Sequence, residues 1–255
     1  METSGPSEEA LSAAKDAAAK LMDEGALATI LTGSHARGDA HEESDLDVRA
    51  VGDGPDKTLK REGGFLISFS AMSLEDNQKA FEDPDQVGEF VPGWRTSVLL
   101  IDPNGVGAEL KQKAEEWDWD GLGDAAPRWV AEQMTLMAEE IHTLIGNLDQ
   151  GQETGAAAIR SQIALDLAKV LSVHEQILYG SENDLWELVG EAMGDEYADR
   201  QKVALGLKGS DFFDSCTAVF ELFELAATKT SDLLDERQGA VVDHALELAS
   251  ARIKN

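Results

Sequence analysis

The sequence predicts an α+β protein, in which a small mixed β-sheet with helices on one side is followed by an all-α helical bundle. Two observations lead to this prediction. In the first half of the chain, apolar residues recur at the spacing of strands in some segments and of helices in others. In the second half they recur at the helical spacing. All six prolines lie at or before Pro127, and proline interrupts helices and strand ladders. We therefore expect two domains, residues 1–122 and 123–255, which divide within the glycine- and acid-rich stretch 118–127.

The elements of the first half follow from local signals. Residues 7–23 predict a helix that Ser7 caps and that Gly25 follows. Four runs rich in aliphatic and β-branched residues predict strands, and a second helix capped by Ser73 is expected between the last two. The predicted strands are 26–32, 45–51, 65–70 and 95–102, and the second helix is 73–82. A mixed sheet with helices on one side fits this order.

The second half has apolar residues at spacings of three and four over most of its length. This spacing places the apolar side chains on one face of each helix. The segments expected to be helical are 128–148, 156–179, 183–193, 211–234 and 238–253. Because each helix must bury its apolar face, we expect an antiparallel bundle, in which all of these faces meet in one core.

The chain is strongly acidic, with a formal net charge of -29 from 50 acidic and 21 basic residues. Two explanations compete. An acidic surface could repel nucleic acid and recruit basic partners, or a cytoplasm rich in salt could favour acidic residues on every surface. The acidic residues are scattered along the whole chain, which favours the second explanation, because the Debye length falls to about 3 Å at 1 M salt. We therefore expect a halophilic protein whose charge says little about its substrate.

Three features indicate a cytoplasmic protein. No run of eighteen apolar residues is present, so a membrane span is not expected. The acidic, polar start METSGPSEEA argues against a secretory signal or an organellar transit peptide. The single cysteine, Cys216, cannot form an internal disulfide and is expected to be a buried thiol in the core.

The segment TGSHARGDAHEESDLDVRAV combines a glycine-serine turn with an Asp-x-Asp strand. Gly33 lets the backbone approach a phosphate closely, and Ser34 adds a hydroxyl donor beside the amides of a helix start. Asp45 and Asp47 lie two residues apart on a predicted strand, so both carboxylates project from one face. Such a pair can hold two Mg²⁺ ions about 3.5–4 Å apart, as in two-metal phosphoryl transfer. Arg37 would offset phosphate charge or orient the loop by pairing with one of the aspartates.

A purely structural interpretation of these residues competes with this one. Asp45 and Asp47 could be turn and strand-start residues, and Arg37 a solvated charge. Two acids on one strand face repel each other, however, unless a cation lies between them. This repulsion favours binding of a metal or a nucleotide.

The ordered combination resembles the minimal nucleotidyltransferases of the DNA polymerase β superfamily. Their signature is a Gly-Ser turn, an arginine three residues after the serine, and a Ser-Asp-x-Asp strand shortly after it. Gly33-Ser34, Arg37-Gly38 and Ser44-Asp45-Leu46-Asp47 match this signature. The resemblance implies a nucleoside triphosphate as substrate and Mg²⁺ as cofactor. It assigns phosphate binding to Gly33, Ser34 and Arg37, and metal binding and catalysis to Asp45 and Asp47.

A weaker resemblance extends over most of the chain, to the two-domain antibiotic nucleotidyltransferases typified by the kanamycin enzyme. It rests on the domain order, on the similar length and on FLISFSAMS, VLLIDPNG and VLSVHEQILY. It implies ATP with Mg²⁺ as donor, a small-molecule acceptor, a site completed by the helical domain, and a homodimer. In that family the helical domain also supplies a glutamate base. Glu139 and Glu140 are the candidates here, although Thr143 aligns with the base and two glutamates on a bundle helix are more often surface residues.

The sequence departs from the family at the third metal-binding carboxylate, which the next strand supplies. Our placement of FLISFS puts Leu66 there, and leucine cannot bind a hard cation. Ile67, Ser68 and Phe69 offer no acid either.

Two hypotheses follow. The first is an enzyme that transfers a nucleoside monophosphate from a nucleoside triphosphate to a hydroxyl acceptor, with release of pyrophosphate. Extended nucleic acid is not expected as a partner, because the cations are too few to neutralise many phosphates. The second is a catalytically degenerate module that binds nucleotide or acts as an antitoxin-like regulatory partner of another protein.

Overall fold

The computed structural model describes residues 5–253, apart from the side chain of Lys208. The acidic N-terminal stretch that argued against a signal peptide begins outside these residues. The chain divides between Gly121 and Leu122 into an N-terminal and a C-terminal unit. Within the described range, no helix combines the length and the apolar character that crossing a membrane requires.

The described part of the N-terminal unit is built on a five-stranded mixed sheet with the strand order β3-β4-β2-β1-β5. β2 and β4 are parallel, and the other neighbouring strands are antiparallel. The strands are β1 (Ala26–Thr32), β2 (Leu46–Gly52), β3 (Thr58–Glu62), β4 (Phe65–Met72) and β5 (Val98–Ile101). A small mixed sheet that precedes a run of helices confirms the predicted α+β class.

The helices of this unit begin where the sequence offers caps. Ser7 and Ser73 each accept a hydrogen bond from a backbone amide in the first turn of the helix that follows. The helices are α1 (Glu8–Asp23), α2 (Gly33–Arg37), α3 (Leu74–Ala80), α4 (Pro84–Thr96) and α5 (Val106–Glu116).

The two faces of the sheet are packed differently. On one face, α1 buries a row of alanines against apolar strand residues such as Leu31, Leu46 and Val48. On the other face, α5 packs closely at Gly107, where an added Cβ would lie 3.0 Å from Leu99 and 3.4 Å from Ala28. Helices therefore lie on both faces around β1, whereas the sequence prediction placed them on one side. Hydrophobic periodicity identifies a helix but not the sheet face that it covers.

Four elements of this unit differ from the sequence prediction, one of which is α5, a helix that was not predicted. Residues 95 and 96 end α4 instead of beginning a strand, since the strand starts at Val98. α4 was not predicted, because Pro92 lies inside it and an internal proline is normally read as a helix end. β3 was not predicted because it is an edge strand with no buried residue, so hydrophobic alternation cannot reveal it.

The described residues of the C-terminal unit form helices joined by short loops, without a strand, which confirms the predicted helical bundle. α6, α7, α10 and α11 pack on one another around fully buried side chains such as Met134, Ile141 and Phe223. The helices are α6 (Ala125–Asp149), α7 (Glu153–His174), α8 (Glu182–Met193), α9 (Asp195–Ala204), α10 (Phe212–Thr230) and α11 (Glu236–Ile253). Cys216 is buried on α10 as expected, and this burial raises the pKa of its thiol.

Two details of the bundle were not predicted. α7 ends at His174 instead of continuing to residue 179, because the backbone reverses at Gln176, which has a φ of +56°. The amide of Ile177 then donates to the carbonyl of Ser172 at 2.7 Å and closes the end of the helix. α9 is a short additional helix that follows α8 directly.

Arg95 connects the end of α4 to the end of α5. Its Nε donates to the carbonyl of Ala114 at 2.8 Å, and its Nη2 donates to the carbonyl of Trp117 at 2.7 Å. We expect Arg95→Ala to lower the free energy of unfolding by about 2 kcal/mol, because two charge-assisted hydrogen bonds to partly buried carbonyls are lost. Urea denaturation followed by circular dichroism measures this change.

Arg128→Ala is the matched control. Arg128 Nε donates to the carbonyl of Asp124 within the same helical segment, so this variant removes an arginine without disconnecting two helices. Equal destabilisation of the two variants would contradict the connecting role of Arg95.

Candidate functional site

The turn after β1 brings the glycine-serine pair against the Asp-x-Asp strand. Thr32, at the end of β1, pairs with Asp47 of β2, and α2 begins immediately with Gly33. A Cβ added at Gly33 would overlap Oδ2 of Asp47 and lie 3.2 Å from its Cγ. The φ of Gly33 is +71°, in a region that disfavours side chains. Position 33 therefore requires glycine both for its backbone conformation and for the close approach of Asp47.

Short-range hydrogen bonds shape the loop between α2 and β2. Gly38 ends α2 in the left-handed conformation, and its amide donates to the carbonyl of Ser34 at 2.8 Å. Further along, the amide of His41 donates to Ser44 Oγ at 2.9 Å, and the amide of Ser44 donates to the carbonyl of His41 at 3.0 Å. Ser44, the serine of the Ser-Asp-x-Asp sequence, thus closes the turn that immediately precedes Asp45.

Arg37 occupies the last turn of α2. Its Nε donates to Oδ2 of Asp39 at 3.2 Å, so it orients the loop through an exposed ion pair. Ser34 is half-buried on the same short helix.

The two aspartates lie at the start of β2. Asp45 immediately precedes the strand, and Asp47 alternates with Leu46 and Val48, which are fully buried on the α1 face. Asp47 therefore projects from the opposite face. Burial raises the pKa of the Asp47 carboxyl, and the negative charge of Asp45 raises it further.

Three groups act in the opposite direction on the same carboxyl. The charge of Arg49, a hydrogen bond with Ser68 and the charge of Lys57 each lower the pKa of Asp47 without reversing the upward shift. Ionisation of Asp47 is therefore less favourable in the folded protein than it is for an aspartate in water. A cation between Asp45 and Asp47 would relieve this cost.

The neighbouring strand supplies a hydroxyl beside Asp47 instead of a carboxylate. Ser68 of β4 pairs with Asp47 in the parallel register and is only 5% exposed. Leu66, which we assigned to the position of the third carboxylate, lies two residues earlier on the same face and is 45% exposed. Strand pairing thus makes Ser68 the residue directly beside Asp47, and it was not identified from the sequence because motif spacing does not give the register of β4.

The chemistry of the carboxylate pair suits a magnesium ion that further oxygen ligands would also hold. Among residues 5–253, no group of three or more His, Cys, Asp or Glu side chains is arranged to hold a metal. Mg²⁺ is often held by one or two carboxylates together with substrate phosphates and water. Asp45 and Asp47 would provide these two carboxylates as hard oxygen ligands, whereas a fully protein-bound ion would need further ligands.

Two of the remaining candidate residues belong to the C-terminal unit, and a third side chain lies on α2. Glu139 and Glu140 are on α6 of the C-terminal unit, where Glu139 is exposed and Glu140 is half-buried. They belong to a different unit from Asp45 and Asp47. His35, on α2, contacts the ring of Phe65 edge-on at 5.9 Å, and its Nε2 is buried without a hydrogen-bond partner.

Comparison with known proteins identifies a domain that contains this turn and strand. Residues 19–113 match the family model of the nucleotidyltransferase domain. Among solved structures, the chain is similar to a nucleotidyltransferase-like protein from Exiguobacterium sibiricum 255-15, with 10% identity, a TM-score of 0.50 and coverage of 95% of this chain and 76% of that chain. At this identity the similarity concerns the fold alone. No curated protein gives a significant match.

Gly33→Ala tests the close contact with Asp47. We expect it to destabilise the fold by about 1–3 kcal/mol, because alanine is strained at this φ and its Cβ displaces the Asp47 carboxylate. Gly64→Ala is the matched control, because Gly64 also has a positive φ, +88°, but an added Cβ there meets no atom within 4 Å. Thermal unfolding measures the loss of stability. Titration with Mg²⁺-triphosphate measures the loss of binding that we expect from the displaced carboxylate. Equal losses of binding in the two variants would contradict the importance of the contact.

Asp47→Asn is expected to stabilise the free protein at neutral pH. The folded-state pKa of Asp47 lies above its ordinary value of 3.8, so folding favours the protonated form. Stability is therefore lost as the pH rises from 3.8 through the folded-state pKa. The asparagine variant should lack this loss, which thermal unfolding at a series of pH values measures.

Asp16→Asn, at an exposed position on α1, is the control for the change in net charge. A lower melting midpoint for Asp47→Asn than for Asp16→Asn at neutral pH would show that the ionised Asp47 is not destabilising.

Proposed function

The N-terminal unit of this chain contains a nucleotidyltransferase domain of the polymerase β type, and we propose that it transfers a nucleoside monophosphate from a nucleoside triphosphate to a hydroxyl acceptor. The observation that supports this proposal most directly is the contact between Gly33 and Asp47. It brings a turn suited to phosphate and a carboxylate pair suited to Mg²⁺ to the same point of the sheet. Binding of a metal-triphosphate complex requires these two functions side by side.

The triphosphate would bind at the start of α2. The backbone at Gly33 has no side chain that would block a phosphate oxygen, and Ser34 adds a hydroxyl donor on the same turn. Arg37, at the end of α2, brings a positive charge close to the proposed phosphate position. Asp45 and Asp47 would hold Mg²⁺ together with the phosphate oxygens. When bound, the ion would stabilise the negative charge that develops on the α-phosphate.

In the proposed reaction, the acceptor hydroxyl oxygen forms a bond to the α-phosphorus, and the bond from the α-phosphorus to the bridging oxygen breaks, so that pyrophosphate leaves. Asp45 and Asp47 would hold the ion, and their fixed position at the start of β2 would help to orient the α-phosphate toward the attacking oxygen. Glu139 and Glu140 stay the candidates for the base that accepts the hydroxyl proton. A small-molecule acceptor, assembly as a homodimer and adaptation to high salt also stay predictions.

A second candidate function is nucleotide binding without turnover, as in a regulatory module. The observation that favours it is the hydroxyl of Ser68 beside Asp47, with Leu66 on the same face, in place of the third acid of the family. A site with two carboxylates binds a metal-triphosphate complex but holds a second ion less firmly.

The two functions are separated by measuring pyrophosphate release in concentrated potassium chloride, with Mg²⁺, a mixture of nucleoside triphosphates and a pool of hydroxyl acceptors. We expect release by the natural chain. Asp45→Asn or Asp47→Asn should reduce it by about 100-fold or more, because loss of a direct metal ligand exceeds the roughly 10–100-fold effect of changes around a metal site. Asp16→Asn provides the control of equal charge.

Unchanged release in Asp47→Asn would overturn the proposed mechanism. Binding of Mg²⁺-triphosphate by the natural chain without any release of pyrophosphate would favour the regulatory module instead. Isothermal titration calorimetry measures that binding directly.

A further inference from the structure

Two histidines meet on the surface of the helical bundle. His142 lies on α6 and His244 on α11, and both side chains are exposed. The centres of their imidazole rings are 5.2 Å apart, and the ring planes are inclined to each other by 42°. Aromatic rings that pack for their own sake prefer an offset-parallel or an edge-on arrangement. An inclination between these two is not explained by ring packing alone.

The distance between the two rings is the one that a shared metal ion requires. Zn²⁺ binds imidazole nitrogens at about 2.0–2.1 Å and prefers tetrahedral angles. When the distance from a ring nitrogen to the ring centre is added, two imidazoles that share the ion have their centres roughly 5 Å apart. The separation of 5.2 Å agrees with this value. Because both rings are exposed, each can turn a nitrogen toward the ion by rotation about its side-chain bonds.

A carboxylate lies beside one of the two rings. Glu247 follows His244 by one turn of α11, and its Oε2 is 3.9 Å from Nδ1 of His244. This distance is too long for a hydrogen bond, but a small rotation of the exposed glutamate closes it. Histidines that bind metals usually donate their second ring nitrogen to a carboxylate, which orients the ring. Glu247 is placed to orient His244 in this way, with Nε2 left for the ion.

The backbone on which the two histidines are placed is held by contacts on either side of them. Ile141 and Ala245, their direct neighbours in the chain, are fully buried in the bundle. Two turns further along the same two helices, Arg252 of α11 donates to the carboxylate of Asp149 of α6. Side chains on packed helices are held more precisely than side chains on loops. Binding of an ion therefore requires ordering of the side chains but not of the backbone.

We propose that His142 and His244 bind a divalent transition-metal ion, of the class of Zn²⁺, Ni²⁺ and Cu²⁺, between α6 and α11. Imidazole nitrogens suit these ions, whereas Mg²⁺ prefers oxygen ligands. No group of three or more potential ligands is arranged around a metal position in residues 5–253, so water molecules complete the coordination of the ion. The site belongs to the C-terminal unit and does not depend on the proposed function. Because the ion joins two helices, its binding stabilises the folded bundle.

The test titrates the full chain with Zn²⁺ by isothermal titration calorimetry, after treatment with a chelator and in concentrated potassium chloride. The salt screens the unspecific attraction of cations to the acidic surface, whereas coordination by imidazole is retained. We expect Zn²⁺ to bind to the natural chain. His142→Ala and His244→Ala should each weaken this binding by about 10–100-fold or more, because even a change in the partner of a metal ligand has an effect of this size.

Two control variants and a second measurement separate this site from other zinc binding. His41→Ala removes an exposed histidine from the loop after α2, and Asp47→Asn removes a carboxylate of the candidate site. Neither should change the zinc affinity of the bundle. In thermal unfolding, Zn²⁺ at about ten times its dissociation constant should raise the melting temperature of the natural chain by about 3–6 °C. It should not raise that of His142→Ala, and Mg²⁺ at the same concentration should have no such effect.

Three results would overturn the histidine site. The first is a natural chain that binds no Zn²⁺, or one whose zinc affinity is the same in His142→Ala and His244→Ala. The second is a loss of zinc binding in Asp47→Asn or His41→Ala alone, which would place the ion in the N-terminal unit. The third is zinc binding that leaves the melting temperature of the natural chain unchanged, because the ion would then not join the two helices. Pyrophosphate release is measured separately, so none of these results decides the proposed function.

Discussion

The close approach of the Asp47 carboxylate to the Cα of Gly33 is the contact on which the candidate site depends. It exists because β1 and β2 are antiparallel neighbours and the residue that pairs with Asp47 is Thr32, immediately before the turn. Any side chain at position 33 would separate the turn from the carboxylate. The same contact places the start of α2, and with it the proposed phosphate site, directly beside the proposed metal ligand Asp47.

The electrostatics of the candidate site make ionisation of Asp47 less favourable in the free protein. Burial and the charge of Asp45 disfavour an ionised Asp47, and the nearby Arg49, Ser68 and Lys57 compensate only in part. A cation bound between the two carboxylates would stabilise their ionised forms, because it would offset the repulsion between them. The neutral hydroxyl of Ser68 adds no further negative charge, which suits an ion that comes with phosphate ligands of its own.

The two faces of the sheet differ in character: one carries the core, and the other carries the candidate site. The face against α1 is apolar and carries the core of the N-terminal unit. The other face carries Thr32, Asp47 and Ser68 at one end. Alternation along β2 produces this division, because each buried residue such as Leu46 places its neighbours on the opposite face. A rigid core directly behind the carboxylates keeps them in position.

Local features of the sequence by themselves determined the α+β class, the helical second half, β1, and the positions of Gly33, Ser34, Arg37, Asp45 and Asp47. These follow from periodicity, capping residues and motif spacing, all of which act between residues near each other in the chain. Only the tertiary structure decided that Ser68 lies beside Asp47, that α4 and α5 cover the face opposite α1, and that His142 and His244 meet on the bundle. Strand register and helix placement depend on contacts between residues far apart in sequence, and no local pattern encodes which partners those contacts join.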